Sequence, residues 1–82
     1  MYPLTLIRMS NRHNISLELK DGQLVTGHLI KCDIAMNMHL TNAKIIGKDG
    51  NERLVKECFL RGQNVRLVKI EPWVMGKQHL FN

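Results

Sequence analysis

The residues best placed to do chemistry in this chain sit in two short polar stretches. Asp33 and Asn37 flank Ile34-Ala35-Met36, and Arg61-Gly62 follows a strand-like apolar run. A side-chain amide both donates and accepts, so Asn37 could read the edge of a nucleobase. A guanidinium plane such as that of Arg61 could stack on one. Each residue also has a plainer explanation: Asp33 as a turn-initiating cap, Asn37 as a turn residue tolerating unusual φ, and Arg61 as a solvated loop charge. Taken singly, the plainer explanation is the simpler one every time.

Catalysis has weaker support. The serines are Ser10 and Ser16, one in a short helix candidate and one on the polar side of a strand pattern. His13, His28, His39 and His79 show no metal-ligand spacing, and surface or satisfied histidines are far commoner than ligands. Cys32 stands beside Asp33, and Cys58 beside Glu57. A neighbouring acid raises a thiol's pKa, and buried cysteines behave as small hydrophobes. No glycine loop is built to cradle a phosphate. The expectation is a protein with no catalytic residues, no metal site, no cofactor and no small-molecule substrate.

The composition sets the frame for these residues. Eighty-two residues make one domain, which buries only roughly 60% of its unfolded surface and has little stability to spare. At 44% hydrophobic and 23% charged the chain is globular rather than disordered. Twelve basic against seven acidic residues leave a net charge of +5, which favours a polyanionic partner, nucleic acid ahead of membrane. No apolar run reaches the roughly 20 residues of a spanning helix, and no signal-peptide arrangement opens the chain. The expectation is a soluble protein that is not exported, and two cysteines without a Cys-x-x-Cys pair suit a reducing compartment.

The elements that must position Asp33, Asn37 and Arg61 follow from periodicity. Pro3 to Ser10 predicts a short helix, too short to stand alone and so packed on the end of a sheet. Ile15, Leu17 and Leu19 alternate with polar residues, as in a strand with one buried face. Asp21-Gly22 then predicts a hairpin through a type I′ turn. The second strand, Leu24 to Asp33, carries Gly27 at its middle, where a bulge or sharp bend is expected. Met38-His39-Leu40 and Ala43 to Ile46 follow as the third strand-like stretch, the two-glycine stretch Gly47 to Gly50 is a turn, and Arg53 to Leu60 is the fourth strand. Arg61 to Asn64 is a tight turn and Val65 to Ile70 the fifth strand, which Pro72 ends. The fold class is all-β: a short N-terminal helix on a strongly bent, five-stranded antiparallel barrel. Residues 1–71 form the domain, and residues 72–82 a tail.

Five strands curled once leave two borders to be satisfied. The fifth strand is mostly apolar, with only Arg66 and Lys69 as gatekeepers, whereas monomeric proteins blunt such edges with charge, proline or bulges. Docking the fifth strand of one subunit beside the fourth of the next would complete both, and a constant rotation closes that contact into a ring. Interior fourth and fifth strands in a monomer are the equal alternative on pattern alone. Aromatics are scarce (Tyr2, Phe59, Trp73 and Phe81), so stacking on a base falls to a guanidinium or to neighbouring subunits.

Together these residues resemble a known pattern. Ile15 to Ile46, with Asp21-Gly22, Gly27, Leu29, Asp33, Met36-Asn37 and Leu40, resembles the first motif of the Sm and Sm-like (LSm) family. Leu54 to Ile70, centred on Leu60-Arg61-Gly62, resembles the second. The resemblance implies subunits joined through their fourth and fifth strands into six- or seven-membered rings, with each subunit holding a uridine-like base in the central pore. Asn37 would bond the base edge, Arg61 would stack on it, Asp33 would orient Asn37, and the Gly62 backbone would allow close approach. Many members place an aromatic or histidine where this chain has Ala35, so stacking on that side is lost. Segments spread along the chain (Pro3 to Leu6, Gly27 to Leu29, Cys32-Asp33 and Glu57 to Gly62) resemble the LSm branch, while Ile34 to Leu40 resembles the D-class Sm proteins.

The LSm branch implies a hetero-heptameric ring on the oligouridine end of the spliceosomal U-six small nuclear RNA. That means nuclear residence, with a cytoplasmic pool acting in messenger RNA decapping and decay. The D class implies the core of the other spliceosomal RNAs. A purely structural ring member without its own base contacts, which Ala35 favours, and an unrelated small barrel binding a peptide remain as alternatives.

Overall fold

The computed structural model describes residues 13–70. The helix expected over Pro3 to Ser10 and the tail from residue 72 lie outside the described residues. Five strands follow in order: β1 (Asn14–Leu19), β2 (Leu24–Cys32), β3 (Met38–Ile46), β4 (Glu52–Leu60) and β5 (Val65–Ile70), with a single 3-10 turn at Gly62–Asn64 before β5. All four strand pairings are antiparallel. The order across the sheet is β4-β3-β2-β1-β5, so β4 and β5 are its two borders and do not pair with each other. The equal weight given to interior fourth and fifth strands therefore resolves in favour of edges.

One face of this single sheet supplies the whole described core. Ile15 and Leu17 come from β1, Val25, Leu29 and Cys32 from β2, Met38, Leu40, Ala43 and Ile45 from β3, and Val65 and Val68 from β5. Leu29, Leu40 and Ala43 reach zero exposure. A flat sheet cannot bury its own face to that degree, so the sheet must curl around these side chains.

The bend is visible in the register. The β2–β3 pairing slips between Thr26 and His28 and again between Leu29 and Lys31. Opposite the first slip, Asn42 takes a φ of +49°, and the buried positions of β3 jump from Leu40 to Ala43. A Cβ on Gly27 would stand 3.1 Å from the Ala43 Cβ and 3.3 Å from that of Leu40. Gly27 thus sits inside the crease, where a side chain would fit only if Ala43 and Leu40 gave way slightly.

The β1–β2 turn differs from the type I′ form expected at Asp21-Gly22. Gly22 has a φ of +93°, while Asp21 is not among the residues of positive φ. The Gly22 N–H donates to the Leu19 carbonyl at 2.9 Å, and the Leu19 N–H to that of Gln23 at 2.9 Å. This is a three-residue loop, a β-turn closed by a left-handed glycine, which matches strand twist as well as the two-residue turn does. The Asp21 carboxylate explains the preference. It accepts the Gln23 backbone N–H at 3.0 Å and the Gln23 side-chain amide at 2.7 Å, which holds Asp21 outside the left-handed region.

Candidate nucleic-acid interface

Antiparallel order carries the β2–β3 and β4–β5 connections to the same end of the sheet. In the first, Asp33 organises its own loop. Its Oδ1 accepts the backbone N–H groups of Ala35 and Asn37, each at 2.9 Å, and its Oδ2 accepts the Asn37 Nδ2 at 3.0 Å. The Asp33 N–H returns a bond to the Asn37 carbonyl at 3.1 Å, and Met36 is held at a φ of +65°. Bonds from the Asn37 backbone and side chain, then that from Ala35 and the nearby charge of Lys31, hold the Asp33 carboxyl below its ordinary 3.8.

The Asn37 amide then reaches the second connection, where its Oδ1 accepts the Gly62 N–H at 3.0 Å across 25 residues of sequence. A carboxylate only accepts and a backbone N–H only donates, so the two contacts fix which end of the amide is oxygen. Asn37 is exposed, and one amide N–H and one oxygen lone pair remain uncommitted among the described residues. That pair matches an adjacent acceptor and donor, the arrangement on the Watson–Crick edge of uracil.

Gly62 is required by this junction. A Cβ there would overlap the Ala35 carbonyl oxygen and stand 2.8 Å from the Cβ of Met36. The close approach that Gly62 allows is first of all that of the β2–β3 loop, and the N–H it presents to Asn37 depends on it. Arg61, one residue earlier, has extended backbone (φ −83°, ψ 133°) and an exposed side chain with no hydrogen bond or ion pair among the described residues. It shares one groove with Asp33 and Asn37. All four residues singled out from sequence therefore meet at one end of the sheet, and exposed Ala35 lies in an adjoining recess with Asn37 and Arg61.

Lys31, His39 and Phe59 are among the further residues that line the same groove. His39 and Phe59 face each other across the β3–β4 pair, their rings stacked at 4.3 Å and 12°. Period-two alternation puts both on the outer face, but only the register reveals that they touch. Among the described residues, no group of three or more His, Cys, Asp or Glu converges as metal ligands would. Burial pushes the half-buried Cys58 thiol upward, with nearby Arg53 pulling the other way, so it offers little thiolate for nucleophilic work.

A curled five-stranded sheet with unpaired borders, and polar loops gathered at one end, defines a class of small all-β domains. The LSM domain family model matches residues 5–70, and the chain belongs to that family. It is 34% identical over 71 residues to the U6 snRNA-associated Sm-like protein LSm4 of Homo sapiens, covering 85% of this chain and 51% of that one. The chain spans between about half and two thirds of the length of the curated relatives it matches. Among solved structures it resembles the Pyrococcus abyssii Sm protein in complex with a uridine heptamer, at 28% identity and a TM-score of 0.77. That match covers 87% of this chain and all of that one. A heptameric archaeal Sm protein matches at 28% identity and a TM-score of 0.72, covering 85% of this chain and all of that one.

Proposed function

We propose that this chain is a non-catalytic subunit of a heptameric Sm-like ring that grips uridine-rich single-stranded RNA, one base at Asn37. The observation that carries the reading is the Asn37 amide, clamped between Asp33 and Gly62 with one donor and one acceptor left over. Asn37 reads the base edge, Arg61 stacks on its face, Asp33 orients the amide, and Gly62 locks the two loops together. The ring supplies what a single chain lacks: unpaired β4 and β5 borders are completed by neighbours, and each added subunit brings another such loop pair to a common strand.

Likeness to LSm4 favours other Sm-like chains as the neighbours and the uridine-rich end of U6 small nuclear RNA as the ligand. The protein then works in the nucleus, in splicing, with a cytoplasmic pool in messenger RNA decay. Residues 1–71 form the ring domain, and residues 72–82 extend from it. A second reading, a ring member that only spaces its neighbours, is favoured by Ala35, which leaves one side of the base without a stacking partner.

The test is oligouridine binding by the assembled ring. Arg61→Ala should weaken it by roughly 1–3 kcal/mol, the scale of one lost stacking partner. Unchanged affinity would instead support the spacer reading. Co-purification of the chain with its neighbours and RNA would identify the ring.

A further inference from the structure

We propose that the base held at Asn37 is read a second time by Gln63, and that the two amides together select adenine at this subunit's place on the strand. This rests on the RNA-binding reading above and names the base that one site takes. Ala35, Asn37, Arg61 and Gln63 line a single recess of about 490 Å³, within the roughly 300–1,000 Å³ of small-molecule sites. All four lie in the two loops, off the β4 and β5 borders that a ring would pair. Gln63 is exposed, and its amide has no hydrogen bond among the described residues. Its backbone is fixed on both sides. The Gly62 N–H donates to Asn37 Oδ1 and the Asn64 N–H to the Arg61 carbonyl, each at 3.0 Å, while the Asn64 carbonyl accepts the Lys20 N–H at 2.9 Å. The bond that clamps Asn37 therefore also sets where Gln63 starts.

Two amides around one base narrow its identity. Asn37 keeps one donor and one acceptor, which any base can meet on its Watson–Crick edge. Adenine has a second such edge, with N6–H beside N7, and a side-chain amide pairs with it through two bonds. Guanine presents two acceptors there, O6 and N7, so an amide meets it with one bond at best. Uracil and cytosine have no N7. The two hydrogens of the adenine amino group thus serve two amides, one on Asn37 and one on Gln63. Ala35 makes room for the second ring, since its methyl leaves the recess open where a larger side chain would stand. Arg61 is the stacking partner, and a site with one such partner gains from the wider purine face, because stacking strength sets preferences of this kind. The strand is then uridine-rich, with an adenosine where this subunit holds it.

The test uses the full chain in its assembled ring at one fixed salt concentration. Oligouridines carrying a single adenosine are titrated, with the adenosine moved one position at a time. At the position this subunit holds, adenosine should tighten binding about fivefold over the all-uridine strand, the low end of one bidentate amide–base pair. Substituting 7-deaza-adenosine there removes the N7 acceptor and should cancel the gain without altering the protein. Gln63→Ala should cancel it too while leaving oligouridine affinity unchanged, and Ala35→Phe should cancel it by filling the recess. A loss of affinity with adenosine at every position would overturn the proposal. So would a gain that survives both 7-deaza-adenosine and Gln63→Ala. A ring that binds no oligonucleotide would sink the underlying reading as well, whereas oligouridine binding that needs Asn37 but shows no adenosine gain would sink the adenine assignment alone.

Discussion

The two ends of the sheet use the same chemistry to different effect. At one end, Lys20-Asp21-Gly22-Gln23 and Lys48-Asp49-Gly50-Asn51 form matching turns. In each, the aspartate Oδ1 accepts the N–H two residues on at 3.0 Å, and Oδ2 accepts the side-chain amide, at 2.7 Å in the first and 2.8 Å in the second. Both glycines are left-handed, at +93° and +83°. At the other end, Asp33 and Asn37 repeat the carboxylate–amide contact, but the amide oxygen crosses to Gly62. The oxygens of Gln23 and Asn51 have no such bond among the described residues. A carboxylate–amide pair is therefore ordinary turn chemistry. The cross-loop bond is what turns it into a rigid, outward-facing donor and acceptor.

That contrast can be broken most forcefully at the glycines. Gly62→Ala drives a methyl group into the backbone of the facing loop and should cost about 3 kcal/mol in denaturant unfolding. Gly50→Ala has open space around it and only the left-handed backbone to resist, so about 1 kcal/mol is expected. Equal costs would mean that the two loops are not wedged together. The amides come next. Asn37→Ala orphans the Gly62 N–H and releases Asp33, and should cost about 1–2 kcal/mol by the same measurement. Asn51→Ala removes only a local, exposed contact and should stay within about 0.5 kcal/mol.

Acid sharpens the comparison further. Asp33 and Asp21 are both held below 3.8 by the bonds they accept in the folded state. Their stabilisation is therefore present above the unfolded value and is lost as pH falls through the lower folded value. A carboxyl titration followed by NMR should give midpoints below 3.8 for both, with the Gly62 amide signal moving in step with Asp33 and not with Asp21. The smallest expected change belongs to Arg61→Ala, which should leave stability within about 0.5 kcal/mol because its side chain touches nothing that holds the fold.

Much of this was legible in the sequence, and the exceptions have physical causes. Asn14 to Leu19 is a strand because Ile15, Leu17 and Leu19 alternate with polar residues, and Val65 to Ile70 because it is a short, mostly apolar run that Pro72 ends; β1 and β5 fall there. Gly27 signalled the crease, but its partner Asn42 did not, since asparagine enters the left-handed region without leaving a distinctive pattern. The turn at Asp21-Gly22 was mistyped because the dipeptide fits two hairpin loops, and the Gln23 amide that decides between them lies just outside it. Asp33, Asn37, Arg61 and Gly62 could be named from residue type and resemblance. The Asn37–Gly62 bond could not, because it joins loops 25 residues apart through the curl of the whole sheet. His39 against Phe59 is invisible for the same reason, since the contact belongs to the register.

The most direct measurement compares Asn37→Ala with Asn51→Ala in the assembled ring, titrated side by side with oligouridine at one fixed salt concentration. The matched amides sit at opposite ends of the sheet, so loss of affinity by about tenfold or more in the first and none in the second is the expected result. Equal affinities, or loss in both, would mean that the Asn37 end is no more a base-reading surface than the turn it resembles.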